Sequence, residues 1–404
     1  MLRGITSVLR HSVDRALPLA VALAAGLTFA GPAAAVDLLE LPAVQSGAAT
    51  QALLLDVTAR GADGFVAVGE YGVIVVSGDG GRSWTQASVP VSVSLTAVHF
   101  PSPEQGWAVG HDGLILHSGD GGATWQKQLD GHRLNEQVVG VAETIVANFR
   151  AELEALEAEE DPDESALEDA AFLLEEAEFM LEGAADDVAA GPVRPLLDVW
   201  FRDERDGYVS GAYGMLLHTA DGGANWALVS DRMRNVQGFH LNQIAPAPDG
   251  TLFIAGEAGF VFRSADGGAH WETLEPGYEG SFYGLVISPA ANGDYELLAY
   301  GLRGNLFRST DRGETWEPLA SGTQVTLTTG LGLADGTVLL GGQGGTILVR
   351  APGQPTFAPG INPDRRVISG MASRGDGTVL IVGLGGIRLA DAAGRPVESA
   401  PGTH

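Results

Sequence analysis

The chain has 404 residues, of which 45% are hydrophobic and 57 are glycine, so it can bury a sizeable core and make many tight turns. With 51 Asp and Glu against 23 Lys and Arg, its formal net charge is −28; this excludes nucleic-acid binding through clustered phosphate contacts and direct attraction to anionic lipid. Cysteine is absent, which excludes disulfides, thiolate metal sites, cysteine nucleophiles and an acylated lipoprotein anchor.

The N-terminus reads as a secretory signal. Arg3, Arg10 and Arg15 precede an apolar stretch over residues 16–30, interrupted only by Pro18 and Thr28, and Ala33-Ala34-Ala35 offers a small-residue cleavage site before Val36. The stretch is too short to span a bilayer comfortably. Residues 1–35 are therefore expected to be a signal peptide cleaved after Ala35, with an uncleaved anchor as the alternative, and the mature chain is expected in the periplasm.

An internal repeat follows. Residues 65–84 read FVAVGEYGVIVVSGDGGRSW; similar copies stand at 106–125, 207–226, 252–271 and 297–316, and two weaker ones at 338–357 and 379–395. Trp84 and Trp125 are 41 residues apart, Trp226 and Trp271 45, Trp271 and Trp316 45, and Trp316 and Phe357 41. A period in the forties, built from short apolar runs between glycines, predicts four-stranded propeller blades. Seven copies predict an all-β, seven-bladed β-propeller over residues 36–400, with Trp or Phe near the start of each outer strand D. In the second copy strand A is expected over 95–100, B over 107–110, C over 114–118 and D over 125–128. Ring closure must hide the first and last edges. By repeat register residues 37–41 fall at a strand-D position and are expected to pair with the last blade, in competition with 394–399.

Two kinds of turn alternate along each repeat. The B–C turns need residues tolerant of positive φ, and their tips vary: Glu70 and Tyr71, His111 and Asp112, Tyr213, Glu257, Arg303, Gln343. The C–D turns read S-x-D-x-G-x-T-W, completely at Ser118, Asp120, Gly122, Thr124, Trp125 and at Ser309, Asp311, Gly313, Thr315, Trp316, with one or two changes around Asp79, Asp221 and Asp266. This turn resembles the Asp box of bacterial neuraminidase repeats. The carboxylate suits the turn's own N–H groups, Gly the left-handed position and Trp the seam between sheets, so all five aspartates are expected to be structural.

Between Trp125 and Trp226 the spacing is 101 residues, leaving an insertion assigned to 133–193. Over residues 135–190 Val138, Val141, Ile145, Phe149, Leu153 and Leu156 fall at helical spacing, Asp161-Pro162-Asp163 breaks the run, and Ser165 with Glu168 reads as the capping box of a second helix carrying Leu167, Ala171, Leu174 and Leu181. The segment between Glu136 and Pro192 holds eighteen Asp or Glu against Arg150 alone. An acidic α-helical hairpin is thus expected between strand D of one blade and strand A of the next, on the face that also collects the B–C tips, the loop 231–240 and the loop 279–283. It is expected to be separable from the ring and to meet a basic partner. Variation imposed on a repeating frame marks that face as the partner-binding one, through Glu70, Tyr71, His111, Asp112, Tyr213, Arg232, Arg234, His240, Glu257, Tyr283, Arg303 and Gln343.

The repeats, the export signal and the blade count together resemble the photosystem II stability/assembly factor family, seven-bladed propellers of the neuraminidase-repeat type, over roughly residues 37–395. The resemblance implies a non-enzymatic scaffold for a membrane protein complex; Arg-rich patches belong to the photosynthetic members' pattern, and this acidic chain departs from it. The expectation is a periplasmic, monomeric assembly factor for a membrane complex or transporter subunit, with no cofactor and no metal. The alternatives are a sialidase-like hydrolase using Arg232, Arg234 and Arg303 with Tyr213, Tyr283 and Glu257, although the sialidase F/Y-R-I-P motif is absent, and a carbohydrate- or ligand-binding propeller.

Overall fold

The computed structural model describes residues 37–290, 294–360 and 364–397, and the expected signal peptide lies outside them. The chain folds as a seven-bladed β-propeller. Six antiparallel sheets have four strands each and the seventh has three, with sequential neighbours paired throughout. Blades 1 to 7 cover residues 54–86, 95–129, 196–228, 241–274, 282–318, 327–359 and 368–391. Each innermost strand packs on the next, and Ile368–Ser373 of blade 7 packs on Leu54–Arg60 of blade 1, so the ring is closed around a central channel.

Each second strand is buried along its whole length, except for Thr378 at the start of blade 7's, as expected of a run covered on both faces by neighbouring sheets. Aromatic side chains fill the seams. Trp107 of blade 2 stacks on Phe201 of blade 3 with centroids 3.7 Å apart, and Trp226 meets the same ring edge-on. Trp125 is 4% exposed and edge-on to Phe100.

The C–D turns satisfy themselves. Asp120 Oδ1 accepts from the Ser118 hydroxyl (2.8 Å) and the Thr124 amide (2.9 Å), and Oδ2 accepts from the Thr124 hydroxyl (2.6 Å). Asp79, Asp221, Asp266 and Asp311 make the same pattern with Ser83, Asn225, His270 and Thr315 in the place of Thr124.

Closure differs from the sequence expectation. Residues 37–41 do not pair with blade 7, although Thr50 O, further along the segment, accepts from Ile387 N of that blade (3.2 Å). Ser92 N donates to Leu38 O (2.9 Å), Ala43 N donates to Val89 O (3.1 Å), and Leu39 is buried with Val91, Val93 and Leu114. The segment covers the connection between blades 1 and 2, where its apolar residues find a closed groove. The outer position of blade 7 is taken by its own chain: Pro396 bridges Ala390, and Val397 N donates to Leu389 O (3.0 Å). That turn is short. Ala390 and its partner Pro396 are six residues apart, whereas Val76 and Thr85 in blade 1 are nine apart. Blade 7 therefore has no Trp or Phe at the start of its outer strand, contrary to the repeat pattern.

The insertion forms two helices, α1 (Gly131–Glu157) and α2 (Glu164–Ala190). Asp130 caps α1, accepting from Arg133 N. Asp163, and not Ser165, caps α2: its Oδ1 accepts from Ser165 N at 2.9 Å. Aspartate at that position completes the turn begun by Pro162, leaving Ser165 inside the helix. The base is locked. Gly131 N donates to Asp112 O (2.8 Å), Asn135 Nδ2 donates to Gly191 O (2.9 Å), and a Cβ on Gly131 would sit 2.5 Å from Pro192.

The hairpin was expected to be separable from the ring, yet it shares buried contacts and edge hydrogen bonds with it. Gln137 reaches the free edge of blade 3, donating to Trp226 O (3.0 Å) and accepting from Leu228 N (2.9 Å). Leu134, Val138, Ala142 and Ala184 share one buried cluster with Trp107, Leu129, Leu196, Trp226 and Leu228. Ile145 and Phe149 pack on Val236 in the connection from blade 3 to blade 4. The helix buries an apolar stripe that also shields an edge strand.

Candidate functional site

Five B–C turns share one local construction. The residue before the tip accepts from the third residue after it, as Glu70 O does from Val73 N (3.0 Å) and Leu302 O from Asn305 N (3.2 Å). Two consecutive tip residues then take positive φ, the hairpin geometry that matches strand twist. In each of these five the first of the two is not glycine: Tyr71 (54°), Asp112 (57°), Tyr213 (58°), Ala258 (54°) and Arg303 (56°). In the sixth turn Gly344 takes this place. A non-glycine residue costs on the order of 1 kcal/mol there, so retaining the side chain opposes stability. Tyr71 and Tyr213 stand 66% and 52% exposed. Arg303, His111 and Gln343 are exposed as well, and Tyr283, in the inner strand of blade 5, is 37% exposed.

Nine of the twelve expected site residues divide into three groups, with Tyr71, Tyr283 and Arg303 outside them. Tyr213, His240 and Glu257 come together across blades 3 and 4: the Tyr213 and His240 rings lie 5.3 Å apart, and Glu257 Oε2 accepts from His240 N (3.3 Å). His240 Nδ1 also lies 3.1 Å from that oxygen, in poor hydrogen-bond geometry. Arg194, which the repeat pattern did not mark, covers the Tyr213 ring at 5.3 Å. Glu70, His111, Asp112 and Gln343 form a framework group. Glu70 Oε1 accepts from Leu53 N (3.1 Å), Asp112 O anchors α1, and the His111 and Gln343 amides donate to Ser94 O and Thr326 O. Burial raises the Asp112 carboxyl above its ordinary range.

Arg232 and Arg234 are each engaged by a neighbouring element. Arg232 Nη1 donates to Gly268 O (3.2 Å), while Arg234 pairs with Glu152 of α1 (3.2 Å) and covers Phe149. The triad of arginines required by the sialidase alternative is therefore not assembled with Arg303. The hairpin supplies the reason, because its Phe149 and Glu152 give Arg234 an aromatic face and a carboxylate.

Polar residues on the innermost strands form a second constellation, in the channel. Asp56 Oδ1 accepts from Val57 N (2.8 Å) and Oδ2 from Val98 N of blade 2 (2.9 Å). Asp198 Oδ1 accepts from Val199 N (2.9 Å) and Oδ2 from Ile244 N of blade 4 (2.7 Å). Gln243 Oε1 accepts from Leu285 N of blade 5 (2.8 Å). These residues occupy one register position in their strands and tie blade 1 to 2, 3 to 4 and 4 to 5. Burial pushes Asp198 up to about 8, with the nearby Asp56 charge adding to it, and burial also raises Asp56. Both residues are half-buried among the innermost strands. His99 is pushed down to about 4 by burial, and its Nδ1 accepts from Phe201 N (3.2 Å). The sequence signal for this ring was an acidic or amide residue at the third place of strand A in repeats one, three and four.

Among the described residues no group of His, Asp and Glu is placed to hold a metal ion, and no helix is long and apolar enough to cross a membrane.

A family model for the photosynthesis system II assembly factor YCF48 matches residues 41–158 and 187–396, passing over the tip of the hairpin and most of α2. No curated protein matches the sequence. Solved structures that resemble the chain include YCF48 bound to D1 peptide, at 17% identity and TM-score 0.57, covering 87% of this chain and 99% of that one. YCF48 from Cyanidioschyzon merolae aligns at 14% identity and TM-score 0.56, covering 84% and 95%, and the WD40 β-propeller domain of Doa1 at 10% and 0.54, covering 83% and 92%. At such identities these likenesses bear on the fold alone. The family match spans most of the chain, and the chain belongs to the YCF48 family of photosystem II assembly factors.

Proposed function

We propose that the protein is a non-enzymatic scaffold, exported to the periplasm, which binds a segment of a membrane protein complex or transporter subunit on the face formed by its B–C turns and acts as a monomer. One observation carries this reading: five turns keep a side chain at positive φ where glycine would relieve the strain, with four residue types among the five and Tyr71, Tyr213 and Arg303 exposed. Strain retained at varied, exposed positions suits recognition better than stability. The tyrosines provide large, rigid contact area with a polar tip, and Arg303 a planar donor fork. The structural neighbour described as YCF48 bound to D1 peptide supports a membrane-protein segment as the ligand. The N-terminal pattern supports export.

The test follows from the strain. A Tyr71→Gly/Tyr213→Gly/Arg303→Gly variant should melt no lower than the wild type, since glycine suits φ near 55°. It should lose capture of the membrane partner from detergent-solubilised membranes. Capture unchanged in that variant places binding elsewhere. Hydrolysis of aryl sialosides or other aryl glycosides that is lost on Tyr283→Phe or Glu257→Gln would replace the scaffold with an enzyme.

A further inference from the structure

Helix α2 carries three seven-residue series. Ala170, Ala177 and Ala184 are buried and face α1, so the small side chains bring the helices close. On the opposite side Phe172 and Phe179 stand 53% and 74% exposed. Seven residues separate them, about 10 Å along one face of the helix. Glu168, Glu175 and Glu182 flank them on one side and Asp169 and Glu176 on the other. Arg150 of α1 takes Glu178 at 2.7 Å, but among the described residues no cation pairs with Glu168, Glu175 or Glu182. Two solvent-facing phenylalanines on a helix that already has an apolar seam are an expense in solubility that core packing does not explain. This stripe lies within the part of the chain that the family model does not match.

We infer that the outer face of α2 docks a basic amphipathic helix of the partner, its apolar side on Phe172 and Phe179 and its Lys or Arg residues against the flanking carboxylates. The seven-residue recurrence is the one a partner helix reads, with apolar knobs along the seam and charges on its borders. The flanking charge selects among occupants. A second copy of this helix would set acid against acid, and anionic lipid is repelled for the same reason. The inference adds a contact to the partner-binding reading given above and rests on it.

The test uses the full chain and a labelled three-heptad peptide of leucine and lysine, followed by fluorescence anisotropy, with the same peptide carrying glutamate for lysine as control. The lysine peptide should bind and the glutamate peptide should not. Phe172→Ser/Phe179→Ser leaves the charge unchanged and should weaken binding about tenfold or more at an unchanged melting temperature. Glu168→Lys/Glu175→Lys/Glu182→Lys should weaken it similarly and flatten its salt dependence. Undiminished binding by the serine variant would show attraction by bulk charge alone and overturn the inference. So would a large fall in its melting temperature, self-association of the wild type that the serine variant abolishes, or Phe-dependent binding to phosphatidylcholine vesicles. The glycine variant of the turns is titrated alongside. If it alone loses membrane capture while the serine variant keeps full peptide binding, the α2 contact fails and the turn face stands.

Discussion

Asp120 on an outer turn and Asp198 on an inner strand each accept main-chain N–H groups, yet their acidities move in opposite directions. The partners of Asp120 lie within four residues of it; burial is the largest single influence and raises its pKa, but the bonds from Thr124 and Ser118 together outweigh it and lower the pKa. Asp79, in the same kind of turn, is held down to about 2, foremost by the Ser83 hydroxyl. The partners of Asp198 span two blades, Val199 N and Ile244 N, and burial dominates. The turn carboxylate shapes a local loop. The channel carboxylate is a tie between elements distant in sequence, held in a poorly hydrated place. Local features should therefore be cheap to remove and non-local ones costly.

The largest effect is expected at the hairpin. Replacing residues 135–190 with a Gly/Ser linker closes the loop at little cost in chain entropy. It also uncovers Trp226 and Leu228 and removes Gln137 from the edge of blade 3. Circular dichroism melting should show loss of the cooperative transition, or a fall far larger than any point variant gives. A deletion variant melting like the wild type would show the buried contacts to be dispensable. Next comes Trp125, whose ring is buried against Phe100. Trp125→Ala should cost about 3–5 kcal/mol in denaturant titration, as aromatic truncations in cores do.

Much of this was legible in the sequence. The period, the blade count and the turn aspartates depend on residues close together in the chain, and they repeat. The acidic hairpin was legible from Val138, Ile145 and Phe149, but its seat was not, because Gln137 and Trp226 are joined only once the ring brings blade 3 beside α1. The partners of Arg234 were hidden for the same reason: Glu152 and Phe149 are distant in sequence. The channel ring left a trace, polar residues at one place of strand A, whose meaning lay in amides of the next blade. The short last turn was visible in the weak seventh repeat, which stops before any aromatic residue.

Asp198→Ala is expected to follow Trp125→Ala. It leaves the amides of Val199 and Ile244 without their acceptor, and unpaired buried donors cost about 1–3 kcal/mol each, lessened here by water reaching a half-buried site. The same residue sets a pH dependence. Its folded pKa, about 8, lies above the ordinary 3.8, so the stability tied to its proton is present at low pH and is lost as pH rises from about 4 through 8. The turn aspartates have the opposite sign: their contribution is present above about pH 4 and is lost as pH falls towards 2. Melting temperature should thus decline from pH 5 to 8.5, and decline less in Asp198→Asn, which cannot ionise. The chain's overall negative charge adds to the decline in both proteins, so the difference between them is the measurement. Parallel curves would show that Asp198 is ionised throughout.

The smallest effect is expected at Asp120. Asp120→Ala removes the acceptor of the Thr124 amide and of two hydroxyls, but those groups lie at the surface and water can replace the carboxylate. The turn keeps its other supports, since Ser118 Oγ still accepts from Gly122 N (2.8 Å) and Trp125 Nε1 still donates to Gly122 O (2.9 Å). The cost should be about 1 kcal/mol, well below that of Asp198→Ala. The five turns sit on separate blades and share no partner, so their costs should add. Asp79→Ala, Asp120→Ala and Asp311→Ala combined should lower the unfolding free energy by the sum of the three single values, with the steepness of the denaturant transition unchanged. A single variant as costly as Asp198→Ala, or a triple variant far below the sum, would show that these turns couple the blades and are not local supports.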